Sequence, residues 1–180
     1  MNRKQEELGT HILENVRNEL YYYFPYLDGA FACISGKGSE ETRTIGTDGE
    51  FFLFSPEYLL ELYVKKPEAV RRGYLHMLLH CLFLHLFKPA GEMWDIACDM
   101  AVEQMIERQA QPRLALGNAV RKDCFDRMGN EPLPAERILE LLEAGTFPYT
   151  MEEMRAAFSF DDHSRLSLIH ISEPTRLDVI

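Results

Sequence analysis

The stretch Tyr74-Leu75-His76-Met77-Leu78-Leu79-His80-Cys81-Leu82-Phe83-Leu84-His85-Leu86-Phe87 is apolar on every side except for three histidines. It is shorter than the roughly 20 apolar residues that span a bilayer, so the rest of the chain has to enclose it, and the pattern predicts a buried central helix opening at Pro67-Glu68 and running to Phe87. That constraint shapes the whole fold. Each enclosed imidazole needs a polar or metal partner, and few are available on the helix itself. Partners must come from elements packed against it.

The neighbouring segments supply candidates for those elements. Leu8, Ile12, Val16 and Leu20 recur every four positions, predicting an amphipathic helix from Gln5 to about Tyr23 that ends at Pro25 and Gly29. The period then changes. Phe31-Ala32-Cys33-Ile34-Ser35, Thr42-Arg43-Thr44-Ile45 and Phe51-Phe52-Leu53-Phe54 read as two or three antiparallel strands, the last pair joined across Asp48-Gly49. Ser55-Pro56-Glu57 marks the start of a short helix to about Val64. Lys88-Pro89-Ala90-Gly91 breaks the central helix, and Glu92 to about Arg108 resumes helical spacing, with Trp94, Ala97, Ala101 and Met105 on one stripe and Asp95, Asp99 and Glu103 on another. Residues 109–133, rich in Pro and Gly, give no regular element, and two shorter helices come after them at about Ala135–Glu143 and Met151–Phe158.

With 46% apolar and 27% charged residues over 180 positions, the chain has the composition of one folded domain. A net charge of -10 argues against a nucleic-acid partner, because phosphate backbones are bound through clustered positive charge. The amino-terminal residues lack the apolar core of a secretory signal and no segment reads as a membrane span, so a cytoplasmic protein is expected. Cys33, Cys81, Cys98 and Cys124 are too far apart for a zinc knuckle and too few for a disulfide framework.

His76 and His80 lie one helical turn apart and project from the same face, the geometry in which two imidazoles share a zinc ion. Six His among 180 residues produce an HxxxH spacing by chance about 0.2 times per chain, so the pair gains its weight from the acidic helix that comes next in the chain. Asp99 comes 19 positions after His80, a separation that a helix-loop-helix return can close. Zinc commonly takes two His and a carboxylate. His85 is the rival third ligand, but on an unbroken helix it lies about 180° from His76, and it reaches the metal only if the helix ends near Leu84. Asp95 and Glu103 flank Asp99 at helical spacing, and either could orient an imidazole from outside the ligand set. Asp161-Asp162-His163 is a further polar cluster near the end.

His76-Met77-Leu78-Leu79-His80-Cys81-Leu82-Phe83-Leu84-His85 and then Trp94-Asp95-Ile96-Ala97-Cys98-Asp99 resembles a bacterial metallopeptidase-type domain family found ahead of a von Willebrand factor A-like domain. The family pattern is HExxHxxxxH and then a Trp-x-x-Ala-x-Asp helix. The Thr47-Asp48-Gly49 turn, the Ser55-Pro56-Glu57 helix start and Asp161-Asp162-His163 extend the likeness over about residues 5–165. It implies an α+β, zincin-like fold with a small antiparallel sheet beside the HxxxH helix and the acidic helix. It also implies Zn2+ held by His76 and His80 with Asp99 or His85, a peptide or protein substrate or partner, a von Willebrand factor A-like domain in cis and a MoxR-type AAA ATPase in trans. Met77 departs from the pattern, standing where the zinc peptidases carry the Glu that serves as general base. A thioether cannot move a proton, so hydrolysis is expected to be weak or lost, or supported by another carboxylate, Glu103 first and Asp95 second. The alternative is a catalytically silent metal-binding or interaction module. Residues 166–180 resemble a translated sequencing-adapter tail, so the expected native domain is 1–165, and removing Glu173, Arg176 and Asp178 leaves its balance acidic.

Overall fold

The computed structural model describes residues 3–87 and 91–160. Asp161-Asp162-His163 and the 166–180 segment lie outside the described residues. The architecture is mixed α+β, with eight α-helices and one three-stranded sheet among the described residues. The helices are α1 (Arg3–Tyr23), α2 (Asp28–Cys33), α3 (Pro56–Lys65), α4 (Pro67–Leu82), α5 (Glu92–Arg108), α6 (Ala119–Met128), α7 (Ala135–Glu143) and α8 (Met151–Phe158). The strands are β1 (Ser35–Gly38), β2 (Ile45–Thr47) and β3 (Phe51–Phe54). None of these helices is long and apolar enough to cross a membrane.

The sheet differs from the antiparallel arrangement expected. Its order is β1-β3-β2, with β2 antiparallel to β3 and β1 parallel to it. The β2–β3 hairpin forms at Asp48-Gly49 as the turn residues dictate. Gly49 takes φ 87°, a region open to residues without Cβ, and Asp48 Oδ1 accepts from the amides of Glu50 and Phe51 at 3.0 and 2.7 Å. Phe31–Cys33, expected in a strand, instead forms the end of α2, so Gly29 lies inside a helix rather than ending one. A short apolar run does not encode its own period, and Phe31 packs against Tyr74 of α4 from a helix. Strand geometry starts only at Ser35.

Two apolar clusters share α5. One joins α1, the sheet, α3 and α4 to Val102 and Ile106. The other joins Ile96, Ala97, Met100 and Ala101 to α6, α7 and α8. Thus α5 is buried on opposite sides, and α4 packs directly against it. The approach of α4 to the sheet depends on Gly73, where a Cβ would stand 2.6 Å from Ile45 Cδ1. Phe52 meets Tyr74 edge-on at 4.5 Å in the same contact. With the sheet occupying that side of α4, the His76 face is left to α5.

Helix α4 stops at Leu82 rather than Phe87. Leu84 adopts φ 57° and a 3-10 turn, His85–Phe87, comes after it. The apolar run conceals the end because apolarity says nothing about where backbone hydrogen bonding stops, and Leu82, Phe83, Leu84 and Phe87 are exposed. The 109–133 stretch, read as irregular, contains α6, capped by the Asn118 side chain accepting from the Arg121 amide and closed by Gly129 at φ 85°. Thr150 and Glu153 form a reciprocal capping box on α8.

Candidate metal centre

The rungs of α4 and α5 that face each other carry polar side chains. His76 and His80 of α4 and Asp99 and Glu103 of α5 are all fully buried. His76 Nε2 stands 3.0 Å from His80 Nε2, and Asp99 Oδ1 is 3.3 Å from each of them. Two ring nitrogens and a carboxylate oxygen converging in this way have to share a proton or a cation. A tetrahedral zinc ion with bonds of about 2.0–2.1 Å separates its ligand atoms by about 3.3 Å, so the triangle these atoms form is the size such an ion requires. This is a buried His-His-Asp cluster that could hold a metal ion.

The surrounding groups hold each of the three side chains from behind. Glu103 Oε1 is 2.9 Å from His76 Nδ1, on the ring edge away from Asp99, an arrangement that fixes the imidazole with Nε2 facing the cluster. Asp99 Oδ2 accepts from Ser159 Oγ at 2.6 Å, which leaves Oδ1 on the histidine side. His85 Nδ1 lies 3.2 Å from His80 Nδ1. The early end of α4 and the left-handed turn at Leu84 therefore bring His85 back to the cluster, as a termination near Leu84 would require. It meets His80 on the nitrogen opposite the one that faces His76, so it supports His80 from outside the triangle.

Glu103, expected from sequence as the first substitute for the missing base, lies behind His76 with its second oxygen held by two arginines. Its Oε2 accepts from Arg72 Nε at 2.8 Å and from Arg121 Nη1 at 2.7 Å. Burial alone would raise its pKa, but the His76 ring and the Arg72 guanidinium outweigh that and hold the carboxyl below its ordinary range. One oxygen faces His76 and the other faces two arginines, an arrangement that can orient the ring. Asp95 sits half-buried in the first turn of α5, one turn before Asp99. Met77 is buried in the apolar cluster with the sheet.

Sequence reading missed Arg72, Arg121, Ser159 and Phe160. Arg72 carried a usable signal, since a charge four residues before His76 on a buried helix falls on the same face. Arg121 came from the stretch read as irregular, and Ser159 and Phe160 reach the site only through the packing of α8 on α5. The Phe160 ring lies 5.6 Å from that of His76 and over the guanidinium groups of Arg72 and Arg121, at 5.9 and 5.5 Å. In comparisons with known proteins, the chain matches no family model, no curated protein and no solved structure.

Proposed function

We propose that the chain is a zinc-binding domain of the metallopeptidase type in which peptide hydrolysis is weak or absent. The reading rests on one observation, the convergence of His76 Nε2, His80 Nε2 and Asp99 Oδ1 in a fully buried triangle of 3.0–3.3 Å edges. Two His and one carboxylate suit zinc, which is insensitive to d-electron geometry and accepts such mixed sets. When bound by three protein ligands, zinc supplies Lewis-acid chemistry. The protein's own residues orient the ligands, with Glu103 on His76, His85 on His80 and Ser159 on Asp99. Met77, beside a ligand on α4, has no group that can accept a proton.

That departure favours a binding module over a working hydrolase. A catalytically silent domain would serve as a metal-stabilised interaction surface, and the motif resemblance suggests a downstream von Willebrand factor A-like domain, a MoxR-type AAA ATPase partner and a cytoplasmic setting. The hydrolase reading needs another base, and Asp95 is the remaining carboxylate on the acidic stripe of α5. Metal analysis tests the shared premise. Protein purified without a His-tag from zinc-supplemented medium should carry about one zinc per chain, the occupancy of a single three-ligand site, and a content far below that would remove both readings. Zinc-dependent peptide hydrolysis lost in Asp95→Asn would favour the hydrolase.

A further inference from the structure

We propose that Arg72 and Arg121 are positioning residues for the metal site, acting through Glu103 on the tautomer and orientation of His76. The inference rests on the zinc reading above and goes a step deeper into the same site. Arg72 is the largest fully buried side chain among the described residues, and Arg121 is almost as enclosed. Burying two guanidinium groups around a single fully buried carboxylate is a costly way to stabilise a core, since apolar residues of similar volume often do as well. Their directionality suggests what else they do.

A guanidinium has donors and no acceptor. Arg72 Nε and Nη2 and Arg121 Nη1 all point at the same atom, Glu103 Oε2, at 2.8, 2.7 and 2.7 Å, so that oxygen can only accept. The carboxylate plane is thereby fixed and Oε1 is turned to His76 Nδ1 at 2.9 Å. An ionised carboxylate at that distance is an acceptor, which holds a proton on Nδ1 and makes Nε2, facing His80 and Asp99, the nitrogen a metal would take.

The arginines are themselves anchored at the rear. Arg72 Nη1 donates to the Leu114 carbonyl at 2.6 Å, Arg72 Nη2 to Glu107 at 2.8 Å, and Arg121 Nη2 to the Leu116 carbonyl. The chain from Leu114 to Arg121 thus acts as the rear wall of the metal site, and Phe160 covers both guanidinium groups from another side. A helix with no ligand of its own sets the geometry of a ligand two contacts away.

The test combines zinc affinity, by competition with a chromophoric chelator, with 15N NMR of the His76 ring in wild type, Glu103→Gln and Arg121→Lys. Wild-type His76 should carry its proton on Nδ1 with and without zinc. Glu103→Gln should weaken zinc binding about 10- to 100-fold, the usual effect of removing such a partner. Arg121→Lys, which keeps the charge and loses the fork, should weaken it in the same direction and broaden or shift the His76 signals. A folded variant of either kind with wild-type zinc affinity and an unchanged His76 spectrum would overturn the proposal, as would a metal-free wild type with Nδ1 bare and the proton on Nε2. Reduced thermal stability alone, with affinity and tautomer unmoved, would also overturn it by making the arginines merely structural. If Glu103→Gln does not fold, Arg121→Lys and the wild-type tautomer decide. If the wild type takes up no zinc, the zinc reading and the metal-site role both fall; if zinc binds but the His76 proton of the metal-free protein sits on Nε2, only the positioning role falls.

Discussion

Replacing Met77 by Glu restores the residue that the zinc peptidase motif carries, and the structure gives the cost. Met77 is 1% exposed and belongs to the apolar cluster containing Phe52, Tyr74, Leu75, Leu78 and Val102. A carboxylate there is forced to take a proton. At pH 7, protonating a group nearly three units above its ordinary pKa of about 4.3 costs about 4 kcal/mol, at about 1.4 kcal/mol per unit. That is a large share of the roughly 5–15 kcal/mol that holds a domain folded. With a urea dependence near 2 kcal/mol per molar, the unfolding midpoint of the metal-free variant should fall by about 2 M. Met77→Leu, which keeps the volume, should cost less than about 1.5 kcal/mol and serves as the control. If Met77→Glu proves as stable as Met77→Leu, the side chain at 77 is not confined to the core and the burial argument is refuted. The same variant bears on the function. An increase in zinc-dependent peptide hydrolysis of about 10²- to 10⁴-fold would identify a hydrolase that has lost its base and would place the new carboxylate, ionised, at the metal rather than in the core.

Four further outcomes are expected. His76→Ala, His80→Ala and Asp99→Ala should each abolish or strongly reduce stoichiometric zinc, while His85→Ala should weaken it less, read by metal analysis after gel filtration; equal loss from His85→Ala with none from Asp99→Ala would exchange their roles. Chelation of zinc should lower the melting temperature, because free zinc at about 100 times its Kd contributes about 2.7 kcal/mol to the folded state, and that dependence should vanish in His80→Ala. Cysteine labelling should be selective: exposed Cys33 should react readily with a thiol reagent, whereas Cys124, buried and pushed up to about 11, should stay unreactive in the native protein at mildly alkaline pH. The sign of that last shift also predicts a stability contribution that is full below pH 9.0, the ordinary thiol value, and is lost as pH rises toward 11, because the unfolded thiol ionises first.

Several features were legible because they depend on residues close together in the chain. Apolar recurrence marked α1, α4 and α5, the Asp48-Gly49 pair marked the β2–β3 turn, and helical spacing put His76 and His80 on one face and Asp99 and Glu103 on another. What those faces meet was not legible in the same way. A carboxylate at position 99 or 103 of a helical stripe has the same local signature whether it lies beside an imidazole Nε2 or behind an Nδ1. The packing of α5 against α4 separates them, putting Asp99 at Nε2 of His76 and Glu103 at Nδ1.

Local pattern and tertiary structure therefore decided different things. The sequence by itself determined that a histidine-bearing apolar helix would be buried and that its polar groups would need partners, since the cost of an unsatisfied buried imidazole depends on residue type alone. Only the tertiary structure decided which partners they are. The end of α4 at Leu82 turns His85 toward His80, the packing of α8 brings Ser159 to Asp99, and an α6 that proline and glycine obscured delivers Arg121 to Glu103. Each of these contacts joins residues whose meeting depends on how the backbone turns and how helices cross, quantities that no short window of sequence encodes.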